Sequence, residues 1–335
     1  MKVLVLGGGG MIGQKLAQHL AKHPSLSGKG ISHLRLIDAF IEPKIPAGAT
    51  FPIVSEIADI TDSKKRVELV SGRPDIIFHL AAIVSGEAES NFEKGYSVNL
   101  DGTRNLFEVI RAEKEYCPRV VYTSTAAVYG GPYPEDSEDA GDEFILQPTT
   151  SYGVQKAIGE LLLNDYSRRG FLDGVGLRLP TICVRPGKPN AAASGVFSNI
   201  IREPLAGIET TLSVSKDVSM IFASPRSAVG FLVHAAELDT TLLGNRRSMM
   251  MPGVHATIGQ EIEALRRVAG ERVLSFIKES APDPFAQKMV DAWNFPAFPA
   301  TRARSLGFTC EKSFDELIHL HIESELDGKI PGQSA

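Results

Sequence analysis

A tyrosine and a lysine four residues apart are a pair that can do acid–base chemistry in this chain. Tyr152 and Lys156 form the motif Y-x-x-x-K within a stretch of helical periodicity, so both side chains share one helix face. An ammonium beside a phenol favours the phenolate and lowers the pKa of the phenol from about 10 toward the working range. Tyr152 is therefore a candidate general base for an alcohol proton. Thr125, which ends an upstream predicted strand, is a candidate to hydrogen-bond the same substrate oxygen.

A glycine-rich turn near the start of the chain is suited to a pyrophosphate. The apolar residues 2–6 predict a buried strand, and the amphipathic residues 14–23 predict a helix. Between them, Gly7, Gly10 and Gly13 have the spacing G-x-x-G-x-x-G, which provides a positive φ, close backbone approach to phosphate and close helix–strand contact. This order of strand, turn and helix places a pyrophosphate over a helix N-terminus.

An aspartate at the end of the second predicted strand, 33–38, favours one dinucleotide over another. Asp38 can accept hydrogen bonds from a ribose 2′-hydroxyl. The next residues are Ala39 and Phe40, and no arginine follows directly. A 2′-phosphate would therefore meet a carboxylate, and the sequence favours NAD over NADP.

The elements that must position these residues alternate between strand and helix through the first half of the chain. This rhythm predicts an α/β fold, a Rossmann-type doubly wound parallel sheet. The further predicted strands are 51–54, 75–82, 119–124 and 174–179, and the further predicted helices include 92–115 and 152–168. From about Pro180 the rhythm breaks, since residues 185–190 cannot be helix or central strand.

The second half predicts a smaller lobe. Its expected helices are 195–205, 225–238, 258–268 and 314–326, with a proline-rich connection over 282–299. The predicted domains are an NAD-binding Rossmann domain over 1–180, to which 223–240 returns, a smaller C-terminal substrate-binding lobe over 181–328, and a flexible tail over 329–335.

Composition and charge exclude several classes of partner. The chain has 335 residues and a formal net charge of -5, so no overall field favours nucleic acid or an anionic membrane. No apolar run approaches the ~18 residues that a membrane span needs.

The cysteines and histidines indicate neither disulfides nor a metal site. Cys117, Cys183 and Cys310 are far apart, which predicts free thiols in a reducing, cytoplasmic compartment. His319 and His321 are two residues apart on a predicted helix and face different ways, so no metal site is expected.

Together these motifs resemble the extended short-chain dehydrogenases/reductases, the NAD-dependent epimerase/dehydratase family, over roughly residues 1–240. The resemblance implies an NAD-dependent oxidoreductase of carbohydrate metabolism that acts on CH–OH groups of a small molecule. It implies catalytic roles for Thr125, Tyr152 and Lys156. Thr125 is preferred to Ser124 as the catalytic hydroxyl because it lies four residues before Tyr129, and Ser124 is expected to contact the substrate.

The resemblance also implies a homodimer formed through helices 92–115 and 152–168, and a set of residues that contact the cofactor. These cofactor-binding residues are Gly7, Gly10, Met11, Ile12, Gly13, Asp38, Asp59, Ile60, Leu80, Ala81, Ala82, Asn99, Tyr152, Lys156, Pro180 and Thr181.

Departures from the family's patterns reduce the number of reactions that the sequence supports. Ala126 and Ala127 stand where the family's sugar dehydratases carry Asp-Glu, which disfavours dehydration. Residues 217–222 lack the arginine with which nucleotide-sugar enzymes hold a diphosphate. Arg185 and Arg226 remain as candidates to grip a substrate carboxylate in bidentate fashion. Arg226 lies in the first turn of a predicted helix, where a cation opposes the helix dipole and is less surprising if an anionic group binds there.

Residues 178–190 and 223–230 resemble the D-erythronate dehydrogenase subgroup of the family. That resemblance implies oxidation of the C2 hydroxyl of a D-erythronate-like aldonate to the 2-oxo acid. The alternatives are a nucleotide-sugar 4-epimerase, for which the small molecule is a sugar nucleotide, and a uronate or L-threonine dehydrogenase. A redox-sensing NAD-binding regulator is the alternative outside enzymes.

Overall fold

The computed structural model of the chain describes residues 1–130, 142, 144–187, 194–291 and 297–334. It divides into two compact units. Unit 1 comprises Met1–Val128, Ser151–Leu179 and Ala228–Met249, and unit 2 comprises Tyr129–Thr150, Pro180–Ser227 and Met250–Ala335. Residues 188–190 of the predicted irregular segment lie outside the described residues.

The strands are numbered in chain order. They are β1 Lys2–Leu6, β2 Ser25–Leu26, β3 Lys29–Gly30, β4 His33–Asp38, β5 Ile53–Ile57, β6 Ile76–His79, β7 Arg119–Thr125, β8 Asp173–Leu179, β9 Thr181–Ile182, β10 Thr210–Leu212, β11 Ser219–Ala223, β12 Ser248–Met250, β13 Val254–Thr257 and β14 Ile277–Glu279.

The α-helices are numbered in the same way. They are α1 Met11–Lys22, α2 Ser63–Ser71, α3 Ser85–Ser90, α4 Phe92–Gly95, α5 Thr103–Ala112, α6 Ser151–Arg168, α7 Gly195–Leu205, α8 Pro225–Glu237, α9 Ile258–Ala269, α10 Glu271–Leu274, α11 Pro284–Asp291, α12 Thr301–Ser305, α13 Phe314–Glu325 and α14 Pro331–Ser334. A π-helical turn covers Tyr96–Gly102, and 3-10 turns cover Ala126–Val128 and Thr240–Leu243.

Unit 1 is built on a seven-stranded sheet in the order β12-β8-β7-β6-β1-β4-β5. The pairs from β5 to β8 are parallel, with Val3 opposite Leu34 on one side and opposite Ile76 on the other. The inner strands are apolar on both faces, as expected for a parallel sheet covered by helices. The prediction of a Rossmann-type α/β fold is confirmed.

The core of unit 1 lies where α5 and α6 cover the sheet. Leu106, Phe107 and Ile110 of α5 and Leu163 of α6 are fully buried against strand residues that include Val120. The Tyr166 ring lies 5.6 Å from the Phe107 ring, centroid to centroid. This packing fixes α6, which carries Tyr152 and Lys156, on the sheet.

Unit 2 holds the sheet β13-β11-β9 and the pair β10-β14. Phe222 of β11 packs edge-on against Phe197 of α7 and Phe314 of α13, at centroid distances of 5.4 Å and 5.2 Å. Helix α9 begins with a capping box between Thr257 and Gln260, so its first amide groups are satisfied locally.

Three predicted segments differ in the structure. The helix predicted over 92–115 is divided into α4, the π-helical turn and α5. The proline-rich connection 282–299 contains α11, because Asp283 accepts from the Ala286 amide and Pro284 fits the first helical position. The segment predicted to be a flexible tail includes α14, in which the Gln333 side chain donates to Ala269 O at 2.7 Å.

Among the described ranges, no helix combines the length and apolar character needed to cross a bilayer.

Candidate functional site

The turn after β1 requires glycine. Gly7 has φ +87°, and a Cβ there would lie 2.7 Å from the Ala81 nitrogen. Its amide and that of Gly8 both donate to Ile37 O at 2.8 Å. The turn is therefore held between the carboxyl ends of β4 and β6, where a side chain at Gly7 would displace backbone.

Helix α1 starts directly against this turn. A Cβ on Gly13 would lie 2.2 Å from Gly7 O and 2.8 Å from the Gly8 Cα. Gly10, the residue before the helix, is extended and provides no side-chain cap for the first amides. The helix thus presents uncapped N–H groups, at Met11 and Ile12 among others, beside bare backbone. This cradle fits a pyrophosphate.

Asp38 ends β4 next to the same turn. Its carboxylate accepts backbone amides of Gly9, Phe40 and Ile41 at 3.1, 3.0 and 3.2 Å. A carboxylate offers about four acceptor positions, so these bonds orient the group and leave room for a further donor. The proposed bond to a ribose hydroxyl stays a prediction.

Asp59 and Ile60 follow β5. The Asp59 carboxylate accepts the Thr61 amide at 2.8 Å. Ile60 is buried in the core of unit 1, and its carbonyl accepts from the buried Arg66 guanidinium. Their predicted place beside an adenine stays a prediction.

The segment after β6 is clamped by Asn99. Its side chain accepts the Ile83 amide at 2.8 Å and donates to Ile83 O at 3.0 Å and to Gln155 Oε1 at 2.7 Å. Asn99 lies in the π-helical turn, a feature often found at functional sites. It therefore ties the chain after the half-buried residues 80–82 to the helix that carries Tyr152 and Lys156.

Lys156 is nearly inaccessible to solvent, with 1% of its surface exposed. Its Nζ donates to Thr123 O at 2.8 Å and lies 4.7 Å from the Tyr122 ring centroid and 5.9 Å from that of Tyr152. Burial lowers the pKa of Lys156 to about 7, against the opposing effect of the Glu160 carboxylate. The ammonium can therefore exchange a proton near neutral pH, beside the half-buried Tyr152.

Thr125 and Ser124 end β7 on opposite faces of the strand. The half-buried Thr125 accepts the Ala127 amide through its hydroxyl oxygen at 3.2 Å. Ser124 is buried, and its hydroxyl donates to Glu160. The predicted contact of Ser124 with substrate stays a prediction, since its hydroxyl serves an internal carboxylate here.

Sequence reasoning missed the ion pair behind Ser124. Glu160 meets Arg178 of β8 in bidentate fashion, with Nη2 to Oε2 at 2.8 Å and Nε to Oε1 at 3.0 Å. Both side chains are buried. Two sequence signals were available, because Glu160 lies four residues after Lys156 on one helix face and Arg178 interrupts an apolar strand.

Pro180 and Thr181 begin the part of unit 2 that follows β8. Pro180 is buried, and Thr181 is half-buried at the start of β9, paired with Phe222 of β11. Their predicted contact with the nicotinamide stays a prediction.

Arg185 is half-buried in unit 2 and its guanidinium is held in place. Nε donates to Ile182 O at 3.0 Å and Nη2 donates to Ser194 Oγ at 2.7 Å. Its backbone amide donates to Ser198 Oγ at 3.1 Å. These contacts fix the orientation of the guanidinium.

Arg226 is 71% exposed and lies 3.7 Å from Glu323. It lines an open groove of about 380 Å³ together with Glu311 and Glu316. The groove is lined by three carboxylates and this one guanidinium, so it is unfavourable for a substrate carboxylate.

The start of α8 has an anionic partner within the chain. Ser224 caps the helix by accepting the Ser227 amide at 3.0 Å. The Glu311 carboxylate accepts the Ser224 amide at 3.2 Å and the Ser227 hydroxyl at 2.9 Å. The anion expected near Arg226 is therefore provided by Glu311, and its presence does not require a ligand.

In the parts of the chain that the structure describes, no group of three or more His, Cys, Asp or Glu side chains is arranged to hold a metal ion.

The chain is similar to several known proteins. Residues 3–237 match the family described as the NAD dependent epimerase/dehydratase family. A D-erythronate dehydrogenase of Cupriavidus necator is 44% identical over 96% of this chain and 98% of its own length. A D-erythronate dehydrogenase of Haemophilus influenzae is 36% identical, covering 97% of this chain and 100% of its own.

A solved structure, titled as a nucleoside-diphosphate-sugar epimerase from Agrobacterium tumefaciens, has a TM-score of 0.93 and 54% identity to this chain. The match covers 98% of this chain and 96% of the other.

The close approach of α1 to the turn leads to a test of the cofactor cradle. Gly13→Ala should weaken NAD binding at least ~10-fold, because the new methyl group must displace Gly7 O from 2.2 Å. Isothermal titration calorimetry with NAD measures this. Gly230→Ala is the matched control, since a Cβ there meets open space. Unchanged NAD affinity in Gly13→Ala, with the protein folded, would contradict the cradle.

Proposed function

The chain belongs to the NAD-dependent epimerase/dehydratase family, and from that premise we propose that it oxidises the C2 hydroxyl of a small sugar acid with NAD. The substrate is an aldonate of the D-erythronate type and the product is the 2-oxo acid. The observation that carries the choice of substrate is the full-length similarity to two proteins named D-erythronate dehydrogenase. The chemistry is supported by Lys156, a buried ammonium on the same helix as Tyr152.

Tyr152 is the general base in this proposal. Its phenolate takes the proton of the C2 hydroxyl, the C2–H bond breaks with its electron pair, and C2 becomes a carbonyl carbon. Bound NAD supplies the acceptor for that hydride. Lys156 favours the phenolate, and Thr125 donates to the substrate oxygen and orients it.

The cofactor is held by the edge of the sheet in unit 1. Backbone groups of Gly7 through Gly13 would take the pyrophosphate, and Asp38 the adenosine ribose. The Lys156 ammonium would also reach the nicotinamide ribose. The small residues 80–82, positioned by Asn99, would lie along the dinucleotide.

Arg185 is the first candidate to hold the substrate carboxylate. Its guanidinium is oriented by Ile182 O and Ser194 Oγ, and a guanidinium held in a fixed orientation suits a bidentate contact with a carboxylate. Arg226 is the second candidate and has weaker support, because it is exposed and adjoins Glu323.

A nucleotide-sugar 4-epimerase is the second candidate function, favoured by the name of the Agrobacterium relative. That reaction would return the hydride to the sugar and release no NADH. Residues 217–222 carry no arginine for a diphosphate, which weighs against it.

A substrate panel separates these functions. Protein and NAD are mixed with aldonic acids, uronic acids, L-threonine and UDP-sugars, and NADH absorbance is followed. We expect turnover with a four-carbon aldonate, and a loss of at least ~100-fold in Tyr152→Phe, which lacks the base. No formation of NADH with any of the acids, together with interconversion of a sugar nucleotide, would overturn the proposal. Binding of NAD without turnover of any compound would favour the regulator.

The two arginines give a second test. Arg185→Ala should raise the KM for the acid about 10- to 100-fold, the value of one charge-assisted contact. Arg226→Ala, which removes an exposed cation beside Glu323, should leave the KM near that of the wild type. Steady-state kinetics at saturating NAD measures both. The assignment is wrong if the effects are reversed, or if Arg185→Ala leaves the KM unchanged.

We also propose a homodimer, supported by an apolar stripe on two adjoining helical segments. Phe92 of α4 is 57% exposed and Leu161 of α6 is 62% exposed. Tyr96 of the π-helical turn and Ile158 of α6 are half-buried, and α6 packs against that turn. A second copy of the chain would cover this stripe.

Leu161→Asp should convert the dimer to a monomer, because it places a charge in the proposed apolar interface. Light scattering coupled to size-exclusion chromatography measures the mass. Leu242→Asp is the control, since Leu242 is 64% exposed on the 3-10 turn Thr240–Leu243, outside the stripe. A wild-type monomer, or a Leu161→Asp dimer, would count against the proposal.

A cytoplasmic location is supported by the three free cysteines, Cys117, Cys183 and Cys310, which suit a reducing compartment.

A further inference from the structure

The buried ion pair of Glu160 and Arg178 lies one helical turn from Lys156. Glu160 retains 2% of its side-chain surface and Arg178 retains 8%. The carboxylate accepts from Ser124 Oγ and, in bidentate fashion, from the Arg178 guanidinium. Taking such charges out of water is costly, so the pair stays buried only because each compensates the other.

This carboxylate joins three elements at the edge of the sheet that carries the catalytic residues. Glu160 is on α6 with Tyr152 and Lys156. Ser124 is the neighbour of Thr125 at the end of β7, and Arg178 is near the end of β8. One acidic group thus sets the distance between the helix of the base and the strand of the catalytic hydroxyl.

We propose that Glu160 is a positioning residue for Thr125, Tyr152 and Lys156, and that with Arg178 it sets the local charge in which the tyrosine and the lysine exchange protons. The inference rests on the proposed function for its catalytic meaning. It can be tested on the protein without a substrate.

Glu160 is the nearest charged residue to Lys156 on α6, and the buried titratable side chains of the neighbouring strands β6 and β7 are neutral. His79 of β6 is fully buried, and burial, aided by Lys156, lowers its pKa to about 3, so it is neutral at working pH. Burial raises the pKa of Tyr122 on β7 well above its usual value, so it too is neutral. On α3, Glu89 accepts the amide of Ser151 at the start of α6.

The direction of the effect follows from the charges. Glu160→Gln removes a negative charge and leaves Arg178, so both the phenolate of Tyr152 and the neutral amine of Lys156 are favoured. Both titration midpoints then fall. Arg178→Gln leaves the carboxylate uncompensated, and both midpoints rise. A role confined to packing would move neither in a systematic direction.

The experiment titrates the Tyr152 phenolate by its near-ultraviolet absorbance in the protein alone. Because the chain has seven tyrosines, each variant is measured against the same variant carrying Tyr152→Phe. We expect the midpoint to fall by about one pH unit in Glu160→Gln and to rise in Arg178→Gln, the size of one nearby charge in a partly desolvated site. Unmoved midpoints, or shifts of the same sign, would overturn the proposal.

A double variant covers the case in which a single variant does not fold. Glu160→Gln with Arg178→Met removes both charges and leaves no buried ion unpaired, a change that proteins commonly tolerate. The closer charge to Lys156 is still lost, so the midpoint should fall by less than in Glu160→Gln. An unmoved midpoint in the double variant would also overturn the proposal.

Kinetics separates this inference from the proposed function. If the aldonate is turned over, Glu160→Gln should move the pH profile of kcat to lower pH with little change in the KM for NAD. If no acid is turned over while the midpoints shift as expected, the proposed substrate is wrong and the role of Glu160 stands.

Discussion

The burial of the Lys156 ammonium is the constraint on which the candidate site of unit 1 depends. A buried cation needs partners, and Lys156 finds the Thr123 carbonyl, the face of Tyr122 and the Glu160 carboxylate one turn along its own helix. Two of these groups belong to β7, so the helix that carries Tyr152 cannot shift along the sheet without exposing a bare charge. The same burial brings the pKa of Lys156 to about 7. Desolvation therefore gives Lys156 a pKa at which it can exchange a proton near pH 7.

The parallel sheet explains why residues far apart in the chain meet. Gly7 follows β1, Asp38 ends β4 and Thr125 ends β7, and these strands pair in parallel through β6. Their carboxyl ends therefore lie along one edge, which is where open α/β sheets bind ligands. Glycine at positions 7 and 13 lets the backbone of the turn and of α1 pack closely at this edge. Asn99 links the segment after β6 to α6 through its hydrogen bonds to Ile83 and Gln155.

The features that could be predicted from the sequence are those that depend on local pattern. The bounds of α6 and α8 follow from periodicity and from the Ser224 cap, and the turn at Gly7 follows from glycine spacing. Local pattern can mark a residue such as Glu160 or Arg178 as unusual, but it does not say which distant residue is its partner. Glu160 meets Arg178 and Ser124 across 18 and 36 residues, and only the strand order brings them together. Asn99 lies in the π-helical turn and bonds through its side chain to Ile83 and Gln155, contacts that periodicity does not reveal.

Two other predictions differ from the structure because each followed one local signal where a second was present. Prolines between 282 and 299 suggested a connection, yet Asp283 followed by Pro284 is also a helix start. An arginine in the first turn of α8 suggested an external anion, yet Glu311 occupies that place. The candidate catalytic residues are ambiguous in a similar way. Oxidation and epimerisation begin with the same proton and hydride steps, so the roles proposed for Thr125, Tyr152 and Lys156 suit either reaction. What separates the two reactions is the group that holds the rest of the substrate. In the proposed reaction that group is Arg185 of unit 2, whose guanidinium is held by Ile182 O and Ser194 Oγ and is thereby preorganised for a carboxylate. Under the proposed function, the choice between the two reactions therefore depends on residues of unit 2, which the turn at Gly7 and the Tyr152–Lys156 pair do not specify.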